Sequence, residues 1–128
     1  MNPRQFLLIG GVVLIAVGIL GFVGVIGPTP EDSIFGDTWY FDDGENWAHT
    51  VLGVVAVIAG LAPAAEWQRW LVVLVGLLGV FFAVYNLFTT TFLGAELQRP
   101  LDTLLHLVVG VWALFAAYYK GARKPATA

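Results

Sequence analysis

The sequence predicts an all-α membrane protein, a bundle of four transmembrane helices, from its composition and its apolar runs. Of its 128 residues, 59% are hydrophobic and 12% are charged, whereas soluble domains carry about a quarter of their residues as charges. The mean hydropathy is +0.82. Four apolar runs of about 20 residues are each long enough to cross a bilayer. We therefore expect residues 1–128 to form a single membrane domain.

The four predicted spans cover residues 6–26, 44–65, 70–90 and 101–119. The first connection, residues 27–43, is an outer acidic loop that carries five carboxylates and no Lys or Arg. Its Trp39, Tyr40 and Phe41 are expected to rest at the membrane surface, because amphipathic rings prefer the depth of the lipid headgroups. Residues 120–128 are expected to form a short polar tail on the cytoplasmic side.

The distribution of basic residues predicts the orientation. With both termini inside, only Arg99 lies on the outer side, and the other five Lys and Arg residues are cytoplasmic, as the positive-inside rule favours. Those five are Arg4, Arg69, Lys120, Arg123 and Lys124. We expect a multi-pass protein of a prokaryotic inner (cell) membrane.

With six basic residues in all, we expect no nucleic-acid partner. The expected partners are the bilayer, other membrane subunits or further copies of the chain.

Composition also argues against an enzyme. The chain contains no cysteine, which excludes thiol catalysis and thiolate metal sites. Ser33 is the only serine, and no histidine lies near it in the sequence, so a serine-hydrolase triad is not indicated. We therefore expect a non-enzymatic protein.

An internal duplication is indicated by a shift of 57 positions, which lays residues 45–60 on residues 102–117. Six identical pairs result: His49/His106, Val51/Val108, Gly53/Gly110, Val54/Val111, Ala56/Ala113 and Ala59/Ala116. An acid matches as well, Glu45 with Asp102. The pattern predicts two parallel-repeat helical hairpins related by a pseudo-twofold axis along the membrane normal.

Both repeats begin with the chemistry of a helix start. Asp42 and Glu45 have the spacing of a capping box, and Pro100 precedes Asp102 in the first turn of the last span. Each acid meets the positive end of its helix dipole.

Stripes of small residues at helical spacing follow each histidine and also mark the third span. Such stripes are where membrane helices approach one another closely. The predicted packing residues are Gly53, Ala56, Gly60, Gly76, Gly79, Gly110, Ala113 and Ala117. A polar layer is expected near the outer ends of the spans, formed by Glu45, Asn46, Asn86, Thr90 and Asp102 at the depth of the two histidines.

These residues resemble a prokaryotic family of small four-span membrane proteins of unknown function. In that family two helices begin with Asn-x-x-His or Asp-Asn-x-x-His, and here Asn46-Trp47-Ala48-His49 matches the first copy. Asp102-Thr103-Leu104-Leu105-His106 resembles the second, with Thr103 in place of the expected Asn. The resemblance covers most of residues 6–119 and implies the four-span fold, but no activity.

His49 and His106 admit three interpretations. They form hydrogen bonds that lock the bundle, or they ligate haem or (bacterio)chlorophyll in electron or energy transfer, or they join Glu45 and Asp102 in a metal site. The spacing argues against a metal, because di-iron bundles use Glu-x-x-His with further carboxylates and the acids here lie four residues before each histidine. The leading expectation is a structural or accessory module without a cofactor, packing in a homo-oligomer or a larger membrane complex.

Overall fold

The computed structural model describes residues 1–119 and has an all-helical architecture with four long helices. These are α1 (Pro3–Phe22), α2 (Asp43–Leu61), α3 (Ala65–Phe88) and α4 (Leu101–Tyr118). Two single 3-10 turns interrupt the α1–α2 loop, and a two-residue antiparallel hairpin, β1 (Thr91–Phe92) with β2 (Ala95–Glu96), connects α3 to α4. The predicted polar tail, residues 120–128, lies outside the described residues.

Three helices, α1, α3 and α4, are long and apolar enough to cross a membrane. The helix α2 has 19 residues, but its first two turns carry Glu45, Asn46 and His49, which lower its hydropathy. The prediction of four helices is therefore confirmed, and three of them qualify as spans by length and composition.

The helix ends differ from the predicted spans for local reasons. The first helix stops at Phe22 rather than residue 26, because Gly24 adopts a left-handed φ of +84°, a conformation that glycine tolerates best. The second helix stops at Leu61, two residues before Pro63, because a residue preceding proline avoids helical geometry. Asp42 and Glu45 form the predicted capping box at the start of α2.

The helices pair as two antiparallel hairpins, α1 with α2 and α3 with α4. In the first hairpin a Cβ added to Gly11 would lie 2.8 Å from the carbonyl oxygen of Gly53. In the second a Cβ added to Gly79 would lie 2.7 Å from Cα of Gly110. The glycines thus allow the backbones to approach as closely as the small-residue stripes predict.

The two hairpins meet mainly through α1, which contacts both α3 and α4. We call the end of the bundle that holds the N-terminus and the α2–α3 connection the terminal end. The hydrophobic core lies toward this end and consists of Phe6, Leu7, Val72, Val73, Ala113, Ala116 and Ala117. The rings of Phe6 and Trp112 pack edge to face with centroids 4.7 Å apart.

At the opposite end, which we call the acidic end, α1 and α3 finish and α2 and α4 begin. The α1–α2 loop folds over this end, and the backbone N–H of Phe41 donates to the carbonyl oxygen of Ile26 at 2.8 Å. Phe41 is buried, and the indole of Trp39 points inward to a carboxylate. The prediction of a position at the membrane surface is therefore wrong for Phe41, which lies inside the bundle. Trp39 and Tyr40 are half-buried, and their position at the membrane surface stays a prediction.

Candidate functional site

The predicted polar layer is assembled at the acidic end. Glu45, Asn46, Asn86 and Asp102 are buried there, while Thr90 is half-buried just beyond the end of α3. The two acids are 5% and 1% exposed, respectively. Burial of ionisable groups to this degree requires compensating hydrogen bonds, and the layer supplies them.

Asp102 receives two hydrogen bonds in the first turn of α4. The indole Nε1 of Trp39 donates to Oδ1 at 2.9 Å, and the backbone N–H of Gln98 donates to Oδ2 at 2.5 Å. Both donors come from loops outside the helix. Asp102 therefore fastens the α1–α2 loop and the α3–α4 connection to the start of α4.

Asp42 accepts corresponding hydrogen bonds at the start of α2. Its Oδ1 accepts from the backbone N–H of Glu45 at 2.9 Å, and its Oδ2 accepts from the backbone N–H of Glu96 at 2.6 Å. The Glu45 carboxylate in turn accepts from the backbone N–H of Asp42 at 3.0 Å. Asp42 thus connects the first hairpin to β2 of the second.

Each hairpin contains one fully buried asparagine. The amide nitrogen of Asn46 donates to the carbonyl oxygen of Phe41 at 2.9 Å, and the amide nitrogen of Asn86 donates to Oγ1 of Thr103 at 2.9 Å. The amide of Asn46 also packs against Gly21, where an added Cβ would overlap it. The asparagine lies on α2 in one hairpin and on α3 in the other.

The two histidines have different surroundings. Nδ1 of His106 lies 2.7 Å from the carbonyl oxygen of Asp102, and because a carbonyl only accepts, this nitrogen carries the proton. Nδ1 of His49 is buried without a hydrogen-bond partner. Aromatic rings pack against both imidazoles, Phe41 against His49 at 5.7 Å and Phe82 against His106 at 5.6 Å.

Neither histidine lines the polar cleft beside this layer or the apolar groove along α4. Within residues 1–119, no three His, Asp or Glu side chains are grouped so that they could hold a metal ion. What the arrangement does is join loops to helix starts.

A polar cleft of about 420 Å³ opens beside this layer. Its lining comes from the α1–α2 loop and the α3–α4 connection and consists of Asp37, Thr38, Tyr40, Thr90, Glu96, Leu97, Gln98 and Arg99. The hydroxyl of Tyr40 donates to Oε2 of Glu96 at 2.7 Å. This hydrogen bond, with smaller contributions from burial and nearby carboxylates, raises the pKa of Tyr40 to about 12.

Sequence reasoning missed several residues that hold this arrangement. Trp39 and Tyr40 lie 63 and 56 residues from their partners, and no local pattern signals such contacts.

At the terminal end, Gln68 was missed as well, although a buried glutamine near a helix start is a signal in itself. Its Nε2 donates to the carbonyl oxygens of Ala59 and Ala62 at 2.9 and 2.7 Å, which caps the end of α2.

No family model, no curated protein and no solved structure matches this chain.

Proposed function

We propose that this chain is a non-enzymatic, integral membrane module of four spanning helices that acts as a structural or accessory subunit. The observation that carries the proposal is the use of the polar layer. Asp42, Glu45 and Asp102 accept hydrogen bonds from the chain's own backbone and from Trp39. These ionisable groups are engaged in holding loops and helices together.

The outer surface of the bundle supports the same proposal. Large apolar side chains point away from the bundle along all four helices, while glycine and alanine face its interior. A surface of this kind is stable in lipid or against another apolar helix, whereas in water it would be an aggregation liability. The bilayer and other membrane-embedded helices are therefore the partners that its chemistry favours.

The proposal includes α2 as the fourth span. This helix runs antiparallel to α1 over its whole length, from the contact of Gly60 with Leu8 to the contact of Asn46 with Gly21. At 1.5 Å per residue, 19 residues measure about 28 Å, close to the hydrocarbon thickness of a bilayer. If α1 crosses the membrane, α2 lies beside it at the same depths, with its polar turns near the headgroups.

The orientation that we propose puts the acidic end outside and the terminal end in the cytoplasm of a prokaryotic cell. The positions of the basic residues support it, because Arg4 and Arg69 lie at the terminal end and Arg99 at the acidic end. The guanidinium of Arg69 lies 5.1 Å from the ring centroid of Tyr118, a pairing typical of the membrane interface.

The test is the composition of the particle that contains the chain in its own membrane. A tagged full-length chain is extracted with its surrounding lipid by a membrane-excising polymer, and the mass of the particle is measured. The proposal expects two or more copies, or one copy with defined membrane subunits in fixed ratio. A particle holding a single copy and no partner would contradict it.

His49 offers the one observation in favour of a haem or chlorophyll role, because its Nδ1 is buried without a partner. The absorption spectrum of the same purified particle decides this alternative. A porphyrin band that disappears in His49→Asn and His106→Gln would replace the structural proposal with the cofactor one. A spectrum with protein absorption alone agrees with the structural proposal.

A further inference from the structure

We propose that the polar cleft at the acidic end binds the headgroup of a phosphatidylethanolamine lipid. The inference goes beyond the structural role and depends on the proposed membrane insertion of the bundle. A concave site that brings together a few polar groups of defined chemistry is the usual form of a small-ligand site. The chemistry of the lining residues indicates which ligand.

The cleft combines charges of both signs. Arg99 supplies a guanidinium, whose fixed fork of donors suits phosphate oxygens. Asp37 and Glu96 supply two carboxylates on the same lining. A ligand that satisfies both kinds of group carries a phosphate and a cation within one short headgroup.

The neutral groups of the lining favour a cation that can donate hydrogen bonds. Gln98 lines the cleft, and its buried Oε1 has no hydrogen-bond partner in the described structure. Tyr40 donates to Oε2 of Glu96, which leaves Oε1 of that carboxylate for another donor. A primary ammonium supplies three donors, whereas the trimethylammonium of choline supplies none.

The position of the cleft favours a lipid over a free solute. Nη1 of Arg99 donates to the carbonyl oxygen of Leu87 at 3.2 Å, so this side of the cleft borders the last turn of α3. On that turn Leu87 and Phe88 are 58% and 83% exposed. A headgroup in the cleft thus has an apolar helix surface beside it, along which its acyl chains are able to run.

The alternatives differ in charge. Phosphatidylglycerol offers the phosphate but no cation, and it would face Asp37 and Glu96 with like charge. Phosphatidylcholine offers both charges but no ammonium N–H donors. The cleft is therefore expected to bind the ethanolamine lipid in preference to the other two.

The experiment uses the full-length protein in detergent with equal amounts of phosphatidylethanolamine, phosphatidylcholine and phosphatidylglycerol. Native mass spectrometry measures which lipid stays bound. We expect the ethanolamine lipid to be retained at least about fivefold over either competitor, as the loss of one charged hydrogen bond would produce. Equal retention of the three lipids, or preference for phosphatidylglycerol, would overturn the proposal.

Two variants locate the binding. Arg99→Gln and Glu96→Gln are each expected to abolish the preference, and Glu96→Gln retains an acceptor for Tyr40. The matched controls are Arg4→Gln, at the terminal end, and Glu31→Gln, an exposed acid of the α1–α2 loop outside the cleft. Unchanged preference in both cleft variants would show that the lipid binds elsewhere and would contradict the assignment.

A further sample of the same lipid mixture contains free phosphoethanolamine as a competitor. Displacement of the lipid by the free headgroup at equal concentration would indicate a solute site and would overturn the lipid assignment. Labelling of single introduced cysteines with a membrane-impermeant maleimide tests membrane insertion independently. Correct insertion without a lipid preference refutes this proposal alone, whereas wrong insertion refutes the proposed function first.

Discussion

The indole of Trp39 donates a hydrogen bond to the carboxylate of Asp102 across 2.9 Å. This bond joins two residues that are 63 positions apart in the chain. Asp102 is almost completely buried and lies in the first turn of α4, whereas Trp39 belongs to the loop between α1 and α2. The contact therefore joins the two hairpins at the acidic end.

Replacing Trp39 by phenylalanine should lower the free energy of unfolding by about 1–3 kcal/mol, because Oδ1 of the buried Asp102 loses its donor. Thermal or denaturant unfolding in detergent measures the change. The matched control is Trp47→Phe, since Trp47 is 63% exposed and contacts only the ring of Phe22 among the aromatic residues described. Equal stability of the two variants would show that the indole hydrogen bond contributes nothing.

Two adjacent glycines of α1 should respond oppositely to alanine. Gly11→Ala places a Cβ 2.8 Å from the carbonyl oxygen of Gly53, and the helices must separate, at a cost of about 1–3 kcal/mol. Gly10→Ala meets nothing closer than 3.9 Å and should stabilise α1 by up to about 1 kcal/mol. Unfolding of the two variants under identical conditions checks the pair, and equal losses would mean that the buried face of α1 is misplaced.

The hydrogen bond from Asn86 to Thr103 should appear as a coupling energy between α3 and α4. A double-mutant cycle with Asn86→Ala and Thr103→Ala is expected to give about 0.6 kcal/mol, the average for interhelical hydrogen bonds in membranes, and no more than about 1.7 kcal/mol. Unfolding of both single variants and of the double variant supplies the numbers. The comparison cycle pairs Asn86 with Thr38, which lies in the loop, and should give a coupling near zero; equal couplings in the two cycles would contradict the assignment.

Tyr40 should titrate above the ordinary range of a tyrosine. Its hydroxyl donates to Glu96, and this bond is the main reason that its pKa is raised from about 10 to about 12. Because the folded state holds this proton more tightly, the bond stabilises the protein fully below pH 10 and ceases to do so as the pH rises through about 12. Phenolate absorbance of the four tyrosines measures the titration.

Glu96→Gln removes the carboxylate and should return the Tyr40 titration toward its ordinary range. Tyr40→Phe identifies the signal, since it removes the late-titrating group and leaves the other three. A late titration that persists in Tyr40→Phe would assign the shift to another tyrosine.

Much of the helical architecture was predictable, because long apolar runs and capping residues act locally. Asp42 and Glu45 lie three residues apart and start α2 as predicted. Gly53 and Gly110, chosen from their stripes, lie at close backbone contacts between paired helices. The duplication and the family resemblance remain predictions, as does the orientation in the membrane.

The closure of the acidic end was not predictable, because it depends on contacts between distant parts of the chain. The aromatic residues of the loop fit a membrane surface as well as an interior, and only the folded structure shows that Phe41 is buried and that Trp39 donates to Asp102. The polar cleft likewise combines Tyr40 with Arg99 from separate connections. Neither segment by itself indicates a site.

The most direct test of the account is whether α2 crosses the membrane. The chain has no cysteine, so single cysteines introduced as Phe35→Cys in the α1–α2 loop and Ala62→Cys beyond the end of α2 report each side without background. Both positions are exposed. In intact cells, a membrane-impermeant maleimide should label residue 35 at once and residue 62 only after permeabilisation. Labelling of both positions from the same side would contradict the four-span account.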